Sequence, residues 1–116
     1  MKTVKTVNDQ DLDRAVVEVK GFLVVAFLSP DSIPCKHYVP EFEAVAEAFA
    51  GRVAFLRIDA LENPTAADDY GVEVVPTTVV FCDGEEVKHY EGPYRREAIA
   101  GRLKDIILVK RGKEKI

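Results

Sequence analysis

Apolar residues fall along this chain in two rhythms, and their succession lays out alternating strands and helices. Residues 4–7 read as a short first strand. Asn8 stands as the N-cap of a helix over residues 9–19, with Asp9 and Asp11 in the first turn, where the helix dipole favours negative charge. Leu12, Ala15, Val16 and Val19 recur at helical spacing as its buried side, and Gly21 ends it. Residues 22–28 are apolar at consecutive positions, as in a central strand covered on both faces. A second helix begins at Ser32 or Ile33 and runs to Ala50, where Gly51 closes it. It buries Val39, Phe42, Val45, Ala46 and Phe49 and turns Glu41, Glu43 and Glu47 to solvent. Pro40 bends it, because proline lacks the amide donor and clashes with the preceding turn.

Residues 53–58 form another buried strand. Asn63-Pro64 opens a short helix through Tyr70, with the proline in the first turn, where its missing N–H is not needed. Residues 77–82 and 86–90 pair as a hairpin around Asp83-Gly84, a dipeptide suited to the positive φ of such turns. Residues 93–110 make the last helix, with Ile99, Leu103, Ile106 and Ile107 inward. Strands separated by helices predict right-handed parallel crossovers, and the closing hairpin adds an antiparallel edge. The class is α/β. A chain of 116 residues (1–116) makes a single domain that can bury roughly two-thirds of the surface its unfolded form exposes.

The composition, 47% hydrophobic and 31% charged, suits an ordinary globular core. The longest apolar run is of strand length, far short of the ~20 residues that cross a bilayer, so no membrane association is expected. The opening MKTVKTVNDQ has no apolar signal core, which makes a cytoplasmic location the expectation. A net charge of −4 speaks against nucleic acid as a partner. Cys35 and Cys82 are too few for a disulfide-stapled secreted domain. His37 and His89 stand apart with no cysteine or carboxylate cluster, so neither a metal nor a cofactor is expected; His37 lies close enough to Cys35 to influence it modestly.

The candidate chemistry sits where the second strand breaks into the second helix, at Ser32-Ile33-Pro34-Cys35-Lys36. This segment resembles the thioredoxin family's W-C-G-P-C-K, matching its second half at Pro34, Cys35 and Lys36. Pro40, Ile58-Asp59 with Asn63-Pro64, Tyr70-Gly71-Val72 ahead of Val75-Pro76-Thr77, and Phe81 with Asp83-Gly84 resemble further family motifs in the same order. The resemblance runs from about Val4 to Ile107. It implies the thioredoxin fold, a central mixed sheet flanked by helices on both faces, with a cis bond at Val75–Pro76 beside the start of the Ser32 helix and the Cys35 sulfur facing it.

The departures bear on activity. The family's attacking cysteine is Ser32, its tryptophan is Asp31 and its glycine is Ile33. The buried aspartate that accepts a proton in the family corresponds to Ala26, and its companion lysine to Phe55. Thiol–disulfide exchange needs a thiolate, which a helix N-terminus stabilises, and a hydroxyl cannot replace it. Ser32 still suits an N-cap. Cys35 keeps the resolving position, either as a reactive monothiol or as a half-buried spectator. Cys82 lies six residues beyond Pro76, about 20 Å away along a strand at ~3.3 Å per residue. A Cys35–Cys82 disulfide, which needs Cα atoms within about 7 Å, is thereby excluded.

Two readings follow. In the first, the chain is a thiol–disulfide oxidoreductase whose leading cysteine has been replaced, in the laboratory or in nature, with protein disulfides as substrates and a thioredoxin-reductase-type electron donor. In the second, it is a natural redox-inactive module that binds peptides or partner proteins. Ile33, Pro34, Val75 and Pro76 serve either reading as an apolar binding patch, since the backbone before a cis proline is open to an extended peptide.

Overall fold

The computed structural model describes the backbone of residues 3–114 and the side chains of residues 3–110. The elements are β1 (Val4–Val7), α1 (Asp9–Glu18), β2 (Phe22–Leu28), α2 (Ile33–Ala48), β3 (Val53–Asp59), α3 (Pro64–Asp69), β4 (Thr77–Cys82), β5 (Glu85–Glu91) and α4 (Arg96–Glu114). They build one five-stranded sheet in the order β1-β3-β2-β4-β5. β1 and β2 flank β3 in parallel, while β4 runs antiparallel to both β2 and β5. The sheet is therefore mixed, as the thioredoxin fold requires.

The direction of β4 corrects the expectation of parallel crossovers throughout. α3 is only six residues long, too short to carry the chain back along the sheet. Thr77 pairs with Phe27 at the end of β2 where β3 also finishes. The chain thus leaves and re-enters the sheet at the same end, and the strand direction reverses.

Alternation along β2 sends Val24, Ala26 and Leu28 into a core with α2 and α4, and Leu23, Val25 and Phe27 into a second core with α1 and α3. Both faces of the sheet are covered, which explains the unbroken apolar run. Asn8 caps α1 as expected, accepting from the Asp11 N–H at 2.9 Å. Asp9 has a further role: its carboxylate caps α3 by accepting from the Ala66 N–H (2.8 Å), and Asn63 accepts from the Asp9 N–H (3.0 Å). The hairpin turn takes φ 51° at Asp83 and 86° at Gly84.

Helix boundaries shift for local reasons. α1 ends at extended Val19 (ψ 121°) rather than at Gly21, which still takes a positive φ of 81°. α2 stops at Ala48, because the Phe49 carbonyl accepts from both Arg52 and Val53 as the chain turns into β3. Its buried side includes Cys35 and Tyr38, whereas Val39 is only half-buried. α4 begins at Arg96 rather than at residue 93, with the Arg96 N–H donated to the Glu41 carboxylate.

Candidate functional site

The site forms where β2 ends in the centre of the sheet. Ser29, Pro30 and Asp31 make a turn closed by the Ser32 N–H on the Ser29 carbonyl (3.2 Å). Ser32 then caps α2, its Oγ accepting from the Cys35 N–H at 3.2 Å. Pro34 falls in the first turn, where a proline costs no hydrogen bond. Ser32 and Cys35 are thus one turn apart, with Ser32 half-exposed and Cys35 only 2% exposed. The Cys35 sulfur accepts from the Ser29 N–H at 3.4 Å. The thiol is held behind the serine rather than presented to solvent. Among the described residues neither cysteine is in a disulfide, and Cys82 pairs across the sheet with Phe22, at the end of β2 away from this site.

Val75–Pro76 is cis, as the resemblance implies. Val75 packs against the core cluster that contains Cys35. Thr77 donates to the Val74 carbonyl (2.7 Å) and Gly92 to the Pro76 carbonyl (2.8 Å), which fixes the loop from both sides. Among the described residues the Val75 N–H and C=O have no hydrogen-bond partner. Ile33 is 66% exposed, Pro34 is exposed and Val75 half-buried, but Pro76 itself is buried. Val74, in the same motif but outside the expected patch, is exposed beside it. Tyr94 is held edge-on to Tyr90 and beneath the Arg102 guanidinium, and with Ile33 and Pro34 it lines a cavity of about 470 Å³.

A second cavity, about 440 Å³, lies on the other flank of α2 and is lined by Cys35, Lys36, Arg57 and Asp59 among others. His37 and Cys35 line different cavities. Among the described residues no three His, Cys, Asp or Glu side chains gather as a metal site.

Where the family keeps a proton-accepting aspartate, Ala26 is completely buried; Phe55, at the lysine position, packs edge-on against Phe42. Beside Ala26 in the sheet stands Thr78, whose hydroxyl meets the Tyr38 hydroxyl at 2.6 Å. This buried polar pair was missed from the sequence. Its signal was available: Tyr38 stands one turn after Cys35 and one turn before Phe42, on the stripe that packs inward.

A cysteine one turn into a helix, a serine cap ahead of it and a cis proline immediately before β4 in a mixed sheet define a thioredoxin-like domain. The thioredoxin family profile matches residues 3–105. The chain is 35% identical to protein disulfide-isomerase A3 of Gallus gallus over 101 residues, covering 87% of this chain and 20% of that protein. It is 27% identical to thioredoxin 1 of Synechococcus elongatus, covering 89% of this chain and 96% of that one. A point mutant of the thioredoxin of Halobacterium salinarum superposes with a TM-score of 0.80 at 28% identity, over 90% of each chain. The chain belongs to the thioredoxin family, a family of thiol–disulfide oxidoreductases.

Proposed function

We propose that this chain is a thioredoxin-type protein-disulfide oxidoreductase whose leading active-site cysteine is replaced by Ser32, so that its dithiol activity is impaired as written. The observation that carries this is the Ser32 cap on the Cys35 N–H, with the Cys35 sulfur buried one turn behind it. In the full reaction a thiolate at position 32 attacks a substrate disulfide, forming a mixed disulfide and expelling one substrate thiolate. The thiol at position 35 then attacks that mixed disulfide, freeing the second substrate thiolate and leaving an intramolecular disulfide. With Ser32 the first step has no sulfur, and Cys35 alone cannot both attack and resolve. Substrates are extended segments of disulfide-bearing proteins, seated on Ile33, Pro34 and Val75, with the buried Pro76 shaping the loop behind them. The electron donor is a thioredoxin-reductase-type protein, and the setting is cytoplasmic redox homeostasis.

The test is dithiothreitol-driven reduction of insulin by this chain and by Ser32→Cys. The chain as written should give a rate near the uncatalysed background, and Ser32→Cys should raise it at least several-fold. Equal rates would overturn the dithiol argument. A second reading, a natural redox-inactive peptide-binding module, is favoured by Ala26 and Phe55, which replace the proton-transfer pair with apolar groups. Under that reading Ser32→Cys forms a disulfide with Cys35 yet turns over slowly, while peptide binding persists.

A further inference from the structure

One arginine clamps a carboxylate at the wall of the groove, and among the described residues the arginine before it in the chain is left unpaired. Glu41, on α2, is fully engaged by Arg96: it accepts from the backbone N–H at 3.0 Å, from Nε at 3.2 Å and from Nη2 at 3.0 Å. Arg95, the residue before it, lines the same cavity as Ile33, Pro34 and Tyr94. Among the described residues its guanidinium makes no hydrogen bond or ion pair, although Glu41 feels its field. His37 adds a ring donor to the same lining. The exposed acids Asp31 and Glu73 do not line it. The cavity therefore combines an apolar floor with one unspent guanidinium.

We infer that this groove selects extended peptide segments that set an apolar side chain on Ile33 and Pro34 and an acidic one against Arg95. The inference rests on the peptide-binding part of the proposed function and adds the charge preference. Backbone pairing at Val75 gives affinity without regard to sequence, so side-chain pockets must supply discrimination. A guanidinium suits this role because its planar fork matches a carboxylate in two parallel hydrogen bonds. Because Arg96 already neutralises Glu41, a second carboxylate enters without repulsion from the first. An exposed ion pair of this kind is worth about two- to five-fold in affinity and weakens with salt.

Three fluorescein-labelled peptides, Gly-Ser-Val-X-Ile-X-Ser-Gly with X as Glu, Gln or Lys, test it by fluorescence anisotropy. The Glu peptide should bind about two- to five-fold tighter than the Gln peptide, with the Lys peptide weaker still. Arg95→Glu should reverse that order, and about 0.5 M NaCl should flatten it. Lys104→Glu, on the exposed side of α4, changes net charge equally and should leave the order intact. Identical affinities for the three peptides would overturn the charge selection and leave peptide binding standing. A reversal by Lys104→Glu as large as that by Arg95→Glu would overturn it too, as an effect of net charge alone. If no peptide binds, the underlying reading falls with it.

Discussion

Tyr38 and Thr78 set a buried polar pair beside Ala26, and its energetics belong to the scale of single residues. The Tyr38 hydroxyl is pushed up to about 12 from 10.0, chiefly by burial; the bond to Thr78 pulls the other way and Tyr94 adds a small push. The folded state therefore favours the neutral phenol. Stability from Tyr38 is fully present below pH 10, where the unfolded side chain is also neutral, and is lost as pH rises through about 12. Tyr70 is raised similarly, by burial and by its bond to Asp13, so Tyr38→Phe should weaken the alkaline fall in stability without removing it. At neutral pH, Tyr38→Phe or Thr78→Val alone leaves one buried hydroxyl unpaired and should cost about 1–3 kcal/mol, whereas the double change should cost clearly less than the sum. Urea unfolding of the three variants checks this, and simple additivity would mean that the two hydroxyls act independently. At this scale the sequence shows Ser32 ahead of Cys35 and Ala26 in β2 at once, because each is an identity at a fixed spacing. It does not expose the Tyr38–Thr78 pair, whose partners lie forty residues apart and meet only when β4 pairs with β2.

At the scale of elements, Glu41 and Arg96 decide how α4 joins α2. The sequence pattern places Glu41 on a polar helix face, and that is correct for its helix alone. Only the return of the chain after β5 brings Arg96 within reach, so the clamp and the start of α4 are both tertiary facts. Other elements were legible because their signals are local: the Asn8 cap, the Asp83-Gly84 turn and the period of α1 all fall within a few residues. Glu41 is held at about 2, against 4.5 ordinarily, first by the Arg96 side chain and then by the Arg96 N–H, while desolvation opposes. A depressed carboxyl contributes stability that is present above its unfolded value and lost as pH falls toward the folded one. Glu41→Gln should therefore lower the urea midpoint near pH 7, and the two proteins should converge between about pH 4.5 and about pH 2. The pair is partly exposed, so the difference should also shrink with salt. A midpoint difference that is constant down to pH 2 would assign the effect of the substitution to packing instead.

Across the whole molecule, the two thiols mark opposite ends of the central sheet. Topology was the part least open to sequence reading, since the reversal of β4 depends on where a six-residue helix leaves the chain, and no period of apolar residues records that. The same topology separates the cysteines in protection. Cys35 and Cys82 are both buried, 2% and 5% exposed, so neither should react at the rate of a free thiol. Cys35, however, sits in the first turn of α2 and lines a cavity that extends to Lys36 and Arg57. Fraying of one helical turn exposes it. Cys82 is flanked by Phe22 on β2 and Glu85 on β5, so reaching it requires part of the sheet to open. Under native conditions an iodoacetamide pulse should label Cys35 before Cys82. The Cys35 rate should hardly change in urea below the unfolding transition, while the Cys82 rate climbs steeply, because only the larger opening exposes enough surface for urea to favour it. Mass mapping along a urea series reads both rates at once. If Cys82 labels first, or if both rates rise with the same steep slope, Cys35 is protected by the global fold and the thiol at this site is packing rather than chemistry.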